Sequence, residues 1–289
     1  MKRLSGLWQA VSTALAREGV PGTRAHGVYV PYAYADTLAP LTENASLGWL
    51  AGRMEREQQR YLDTVASASR FADRFAGWTH ADAADRNRPR FDQLWFSGID
   101  GAMAYAMVAS LSPGRVLEVG SGHSTRFMAR AIADEGLDTR LHSIDPVPRR
   151  DIDSLCHQVT RASVTALPAS LFQALEADDV LFIDGSHAAV PGSDVEYLFT
   201  RVLPVLAPGV VVHVHDVFLP YGYPAAWGRR AYTEQSMLAA LLSGGGRWQI
   251  LCPVAWLRRH HGAQVERLTA HLEPGALESS FWMQVTGSP

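Results

Sequence analysis

The hydrophobic positions of this chain follow two rhythms. Early on they recur every three or four places, the period of one helix face. Leu4, Leu7, Trp8, Val11 and Leu15 make the first such stripe, closed by Gly19, Pro21 and Gly22. Residues 29–40 (YVPYAYADTLAP) read as an irregular aromatic connector. A second stripe runs from Leu47 to about Phe75 through Leu50, Met54, Tyr61, Val65 and Phe71. No strand pattern accompanies either stripe, so residues 1–99 are expected to be a helical extension that packs on the following domain or caps its site.

Beyond residue 100 short, nearly unbroken apolar runs alternate with amphipathic stretches. The runs predict strands at 115–119, 140–144, 157–161, 179–183, 209–215, 247–252 and 280–285. Helices are predicted between them at 101–111, 123–135, 150–156, 168–175, 192–206 and 233–243. Such alternation predicts an α/β domain over 100–289, a doubly wound, mostly parallel seven-stranded sheet. Ligands of such sheets sit at the carboxyl ends of the strands.

Composition narrows the class. The 289 residues are 47% hydrophobic and 19% charged, with a formal net charge of −3. That balance suits a globular protein and gives no reason to expect nucleic acid or an anionic membrane as partner. The apolar positions near the N-terminus are interrupted by Gln9, Ser12, Thr13, Arg17 and Glu18, so no signal peptide is expected. Cys156 and Cys252 form no metal-finger spacing, in keeping with a cytoplasmic location.

The first strand ends in Glu118-Val119 and turns on Gly120 and Gly122 into a helix. Glycines there let a ligand approach the backbone, and the helix start offers free N–H groups. A dinucleotide fingerprint would place glycine or alanine where Thr125 stands, which disfavours a dehydrogenase. A phosphate gains nothing from Glu118, whereas a cationic ligand does. Asp145, after the next strand, is placed to accept ribose hydroxyls. A ligand with a ribose, a cationic end and no phosphate answers to both carboxylates, and S-adenosylmethionine is such a ligand.

Residues 115–125 with Ser143-Ile144-Asp145-Pro146 resemble the first two motifs of class I S-adenosylmethionine-dependent methyltransferases. The likeness continues through DDVLFIDGSH (178–187) and LPVLAPGVVVHVHDVFLP (203–220) to about residue 255. It implies a Rossmann-like methyltransferase sheet with a reversed last strand. It also implies that Glu118, Gly120, Ser121, Gly122 and Ser124 line the cofactor, with Asp145 on its ribose.

A second cluster lies further on. Asp184 and Asp216 each end an apolar run, and if those runs are neighbours the two carboxylates emerge side by side. Such a pair needs a cation or a shared proton to relieve it, and a divalent metal would serve, with His215 as third ligand. Asp184 is counted with the cofactor residues as well. The arrangement resembles the metal-dependent sugar and catechol O-methyltransferases, macrocin type included. In those the aspartates hold magnesium, and the histidine matching His187 is the general base. His215 departs from their acidic pair and favours manganese, iron or zinc over magnesium, or else loss of the metal. His213, deeper in the same strand, reads as a hydrogen-bonded core histidine.

The loop 218–235 is aromatic, long and follows a strand end, so Tyr221, Tyr223 and Trp227 are candidate walls for an acceptor. Phe91, Trp95 and Asp100 are candidates to fold over the cofactor, whereas Glu234 and Gln235 read as helix caps. The expected reaction is methyl transfer from S-adenosylmethionine to a hydroxyl of a small-molecule acceptor, as in small-molecule biosynthesis, with His187 as base and a divalent metal (Mg, Mn or Fe) assisting. The alternatives are a metal-free O- or N-methyltransferase, an iron-dependent hydroxylase-like enzyme on the same fold, and a scaffold that merely keeps the cofactor. The helical extension is also a candidate interface for a homo-oligomer.

Overall fold

The computed structural model describes residues 32–39, 42–82, 85, 87–270 and 277–287. The first predicted helix, over Leu4–Leu15, lies outside the described residues. The chain divides into two compact units, Met1–Pro40 and Leu41–Pro289. In the first, the described residues form a short 3-10 turn at Ala35–Thr37, with Tyr32 edge-on to Tyr34.

The second unit is built on a seven-stranded sheet. Its strands are β1 (Arg115–Val119), β2 (Arg140–Ile144), β3 (Gln158–Thr160), β4 (Val180–Ile183), β5 (Val211–Val214), β6 (Trp248–Pro253) and β7 (Phe281–Val285). They lie in the order β3-β2-β1-β4-β5-β7-β6. The first five run parallel, and β7 inserts antiparallel between β5 and β6. This is the doubly wound sheet with a reversed last strand that the alternation and the resemblance predicted. The strand order switches direction between β1 and β4, so the carboxyl ends of β1, β2, β4 and β5 frame a crevice. Val180 to Ile183 and Val211 to Val214 are buried throughout, as both faces of the sheet are covered.

The helices reach their places for different reasons. Helix α1 (Gly48–Ala68) buries Leu50, Met54, Tyr61, Val65 and Ala68, one stripe at helical spacing. Helix α2 (Gly98–Leu111) is buried from Ile99 through Ala109, because it is apolar on every face apart from Asp100. It stops where Ser112 turns left-handed and donates back to the Val108 carbonyl. Between them Phe75 and Trp78 pack edge to face on Tyr105 of α2, and Trp78 and Phe91 pack at a tilt on Phe127. Burying each such ring contributes roughly 1.5–3 kcal/mol. Residues 48–78 therefore share the core of the sheet unit.

Three predicted helices shrink. The stretch 150–156 gives only a 3-10 turn at Asp153–Leu155, since its apolar residues are too few for a face and Pro146 and Pro148 restrict the chain before it. The stretch 168–175 gives one turn, Ser170–Gln173. The stretch 192–206 starts as helix at Asp194–Tyr197, widens to a π turn at Leu198–Val202 and tightens at Leu203–Val205, where Pro204 cannot donate. Among the described residues no helix is long and apolar enough to cross a membrane.

Candidate active site

The crevice at the carboxyl edge is a cleft of about 470 Å³ with two ends of different chemistry. Gly120, Ser121, Asp145, Val147, Val164 and Trp95 line one end; Asp184, His187, His215, Asp216, Arg230 and Tyr232 line the other.

The first end is built by the loop after β1. Gly120 has φ +79°, and a Cβ on it would lie 1.9 Å from the Asp184 carbonyl oxygen. Gly120→Ala is therefore expected to cost at least ~1–3 kcal/mol, read as a lower denaturant midpoint; an unchanged midpoint would refute the tight β1–β4 contact. Asp145 fixes the loop from the side, its Oδ2 accepting from the Ser121 N–H (2.8 Å) and hydroxyl (3.1 Å). Its other oxygen accepts from Val147 N (2.8 Å). Trp95, its indole 57% exposed, stands over this end under the Arg149 guanidinium. A carboxylate flanked by apolar Val147 and Val164 and an open indole fits a nucleoside. Of the three candidates to fold over the cofactor, Trp95 lines the cleft, whereas Phe91 is in the aromatic core and Asp100 is buried.

Glu118 corrects the sequence reading. Its carboxyl group is fully buried beneath the loop and takes hydrogen bonds from the Ser124 and Thr125 hydroxyls, both at 2.7 Å. Burial pushes it up to about 8 against the pull of those two hydroxyls. It does not line the cleft; it anchors the loop through Ser124 and Thr125. Gly122 caps the helix His123–Glu135 (α3) and donates to Thr125 Oγ1 at 3.0 Å. Gly120, Ser121 and Asp145 are the predicted residues that face the cleft at this end. Thr125, noticed only for breaking a fingerprint, is the residue that ties strand, loop and helix together.

At the second end β4 and β5 are neighbours, as required, and Asp184, His215 and Asp216 do come together. His187 Nε2 lies 3.3 Å from Asp184 Oδ1 and 3.5 Å from Asp216 Oδ2. On its other side Nδ1 is 2.8 Å from Oε2 of Glu234, a residue 1% exposed. His215 Nδ1 lies 3.3 Å from Asp184 and 3.5 Å from Asp216, and its Nε2 lies 3.3 Å from Asp100. Both His187 (φ +59°) and Asp216 (φ +56°) are left-handed, a strained backbone that surrounding contacts must hold. The His187 carbonyl accepts from the N–H groups of Thr233 and Glu234, which fixes that turn.

Burial alone would push both imidazoles down. For His187 the hydrogen bonds and charges of Asp184 and Glu234 outweigh it, and for His215 those of Asp184, Asp216 and Asp100 do. Both are held well above the usual histidine range. Burial would likewise raise Asp184, but the two imidazoles hold it well below the usual carboxylate range. His213 behaves as the sequence suggested: it is buried, stacked on Phe182 at 3.8 Å, and paired through Nε2 with the Ser280 hydroxyl.

The predicted metal centre does not match this donor set. Among the described residues no group of three or more His, Cys, Asp or Glu is arranged to hold a metal ion. The chemical reason is that His215, the expected third ligand, meets carboxylates at both ring nitrogens, an arrangement that favours hydrogens there over a free lone pair. The aromatic candidates also move. Tyr221 points away, its hydroxyl 2.6 Å from His260 Nε2 and its backbone bridged to Ser46. Tyr223 is buried, its hydroxyl accepting from Gln235 N. Trp227 stands behind the wall, supporting Arg230 (3.9 Å) and Tyr232. Those two residues face the cleft instead. Glu234 is the main residue that sequence reasoning missed: at the start of a helix (Glu234–Ser243, α4) it passed for a cap. Gln235 beside it pins the loop, accepting from Phe218 N and donating to the Tyr221 carbonyl.

Comparison with known proteins gives a family match over residues 117–217, to a methyltransferase domain. No curated protein matches the chain in sequence. Among solved structures, cmcI-N160 with SAH aligns at 14% identity and TM-score 0.40, covering 74% of this chain and 91% of that one. The SAH-bound Podospora anserina methyltransferase PaMTH1 aligns at 13% identity and TM-score 0.44, covering 91% and 100%. The MycE methyltransferase of the mycinamycin biosynthetic pathway, in complex with Mg, SAH and mycinamycin VI, aligns at 16% and TM-score 0.35, covering 61% and 47%.

Proposed function

Residues 117–217 match a methyltransferase domain, and from that premise we propose that this chain transfers a methyl group from S-adenosylmethionine to a hydroxyl of a small molecule, with His187 receiving the proton. One observation carries the reading. A buried carboxylate, Glu234, holds Nδ1 of His187 at 2.8 Å, which directs Nε2 to the cleft beside Asp184. A carboxylate–imidazole pair aimed into a ligand cleft is the arrangement that general-base catalysis needs.

The nucleoside would lie at the Asp145 end, its ribose hydroxyls on that carboxylate and its base between Val147, Val164 and Trp95. S-adenosylmethionine, when bound, supplies an electrophilic methyl on a sulfonium. The histidine end suits that positive charge, since four carboxylates (Asp100, Asp184, Asp216 and Glu234) face two imidazoles. The contacts of His187 Nε2 at 3.3 and 3.5 Å are long, so an entering hydroxyl replaces weak bonds with a shorter one. The neutral form of His187 then takes the hydroxyl proton on Nε2, and the imidazolium formed is the state that Glu234 and Asp184 stabilise. Arg230 and Tyr232, held by Trp227, wall the acceptor side. The protein is further read as a cytoplasmic enzyme of small-molecule biosynthesis and a candidate homo-oligomer.

The test is a titration of the protein with S-adenosylhomocysteine, then incubation of methyl-labelled S-adenosylmethionine with a panel of phenols, sugars and polyketide alcohols. Label should appear as an ether in one of these classes. Asp145→Ala should weaken binding of S-adenosylhomocysteine by about 10–100-fold, the loss of hydrogen bonds to a charged group. Equal binding by variant and parent would place the nucleoside elsewhere, and no binding by the parent would end the proposal.

A further inference from the structure

We propose that His215 is the resident cation of this site: clamped by Asp100, its imidazolium holds Asp184 and Asp216 together in the role a divalent ion would otherwise fill. The inference deepens the methyl-transfer reading, because it says what the acceptor oxygen meets beside His187.

Two carboxylates at neighbouring strand ends need a positive charge between them. His215 supplies one geometrically: Nδ1 stands 3.3 Å from Asp184 Oδ1 and 3.5 Å from Asp216 Oδ1, in a side chain 5% exposed. The opposite nitrogen decides its protonation. Asp100 already accepts from the backbone N–H groups of Ser279 (2.9 Å) and Ser280 (2.8 Å), so both of its oxygens are engaged as acceptors. Its Oδ2 therefore requires a hydrogen on His215 Nε2. At Nδ1 a lone pair would face two anions, so that nitrogen carries a hydrogen as well. The other rings packed on it are Phe96, 4.9 Å away, and His213, 5.9 Å away, whose nitrogen Nε2 is engaged by the Ser280 hydroxyl. On the far side His187 brackets the same two carboxylates.

Asp100 then has a defined task. It sits in the first turn of the buried helix α2, and its hydrogen bonds to Ser279 and Ser280 tie that helix to the start of β7. The same carboxylate aims His215. Asp100 is a positioning residue that acts through the imidazole and touches no ligand.

The first test uses the full-length protein with ¹⁵N-labelled histidine. At neutral pH both ring nitrogens of His215 should give protonated-nitrogen signals, assigned by their loss in His215→Asn; a neutral tautomer would overturn the proposal. The second test is titration of the metal-stripped protein with magnesium, manganese and zinc ions. The parent should show no stoichiometric binding and no rise in Tm. His215→Asn keeps a donor without charge, so its unrelieved carboxylates should now bind a divalent ion and gain several degrees in Tm. Stoichiometric binding by the parent that the variant loses would make His215 a metal ligand and refute the idea. Should the variant not fold, the tautomer state and the parent's metal titration decide the matter, the signals then being assigned through contacts to Phe96. A parallel titration with S-adenosylhomocysteine keeps the two readings apart: its failure would fault the methyl-transfer reading and leave the His215 result standing.

Discussion

Replacing His187 by alanine is expected to lower kcat for methyl transfer by roughly 10²–10⁴-fold, the usual share of a positioned base. Binding of S-adenosylhomocysteine should change little, since the nucleoside is held at the Asp145 end. The reason lies in the two sides of the ring. Glu234 holds one nitrogen at 2.8 Å and Asp184 and Asp216 attract the other, so the imidazolium is favoured and His187 is a strong proton acceptor. The same stabilisation sets the pH dependence. A base works in its neutral form, and these carboxylates hold His187 well above the ordinary 6.5. Activity of the parent should therefore rise with pH through a value well above 6.5, while that of the alanine variant should lack this limb. Tyr232, whose ring is 4.6 Å from that of His187, and Arg230, 3.9 Å from Asp216, also face the pair. A kcat within threefold of the parent, or a shared pH limb, would remove His187 from the reaction.

Much of this frame is legible in the residues, and the exceptions have physical causes. The strands expected at 115–119 and 140–144 coincide with β1 and β2, whose Val116, Leu117, Val119, Leu141 and Ile144 are buried and whose ends are marked by Gly120 and Pro146. The meeting of Asp184, His187, His215 and Asp216 was legible too, since each follows the end of a run destined for the sheet centre. What a strand end cannot disclose is where its side chain turns. Glu118 stands between buried Leu117 and Val119, and only the folded helix start shows Ser124 and Thr125 reaching back to it. Glu234 is harder still. It is 47 positions from His187, after a long loop, and nothing in the local pattern separates a capping glutamate from one turned inward. The loop aromatics were misassigned for the opposite reason: Tyr221, Tyr223 and Trp227 have the right chemistry for an acceptor wall, but Gln235 and His260 claim two of them.

The largest loss of stability is expected from Asp184→Asn. Removing one partner from a buried ion pair costs about 3–5 kcal/mol, because the stranded charges stay buried. Here the carboxylate is 27% open to the cleft, which favours the lower end of that range. Two imidazoliums would lose their shared anion at once, so relief by deprotonation of one ring should follow. The pH dependence has a definite sign. Asp184 is held well below 3.8, so its share of the stability is present above that value and lost as pH falls through the folded one. His187 and His215 are held well above 6.5, so their share is complete below 6.5 and lost as pH rises through their folded values. The gap between parent and Asp184→Asn should thus be widest between about 4 and 6.5 and narrow on either side. Urea unfolding across that range reads it directly. A gap under about 1 kcal/mol, the level of an exposed ion pair, or one that does not vary with pH, would mean that the two imidazoles do not carry the charge assigned to them.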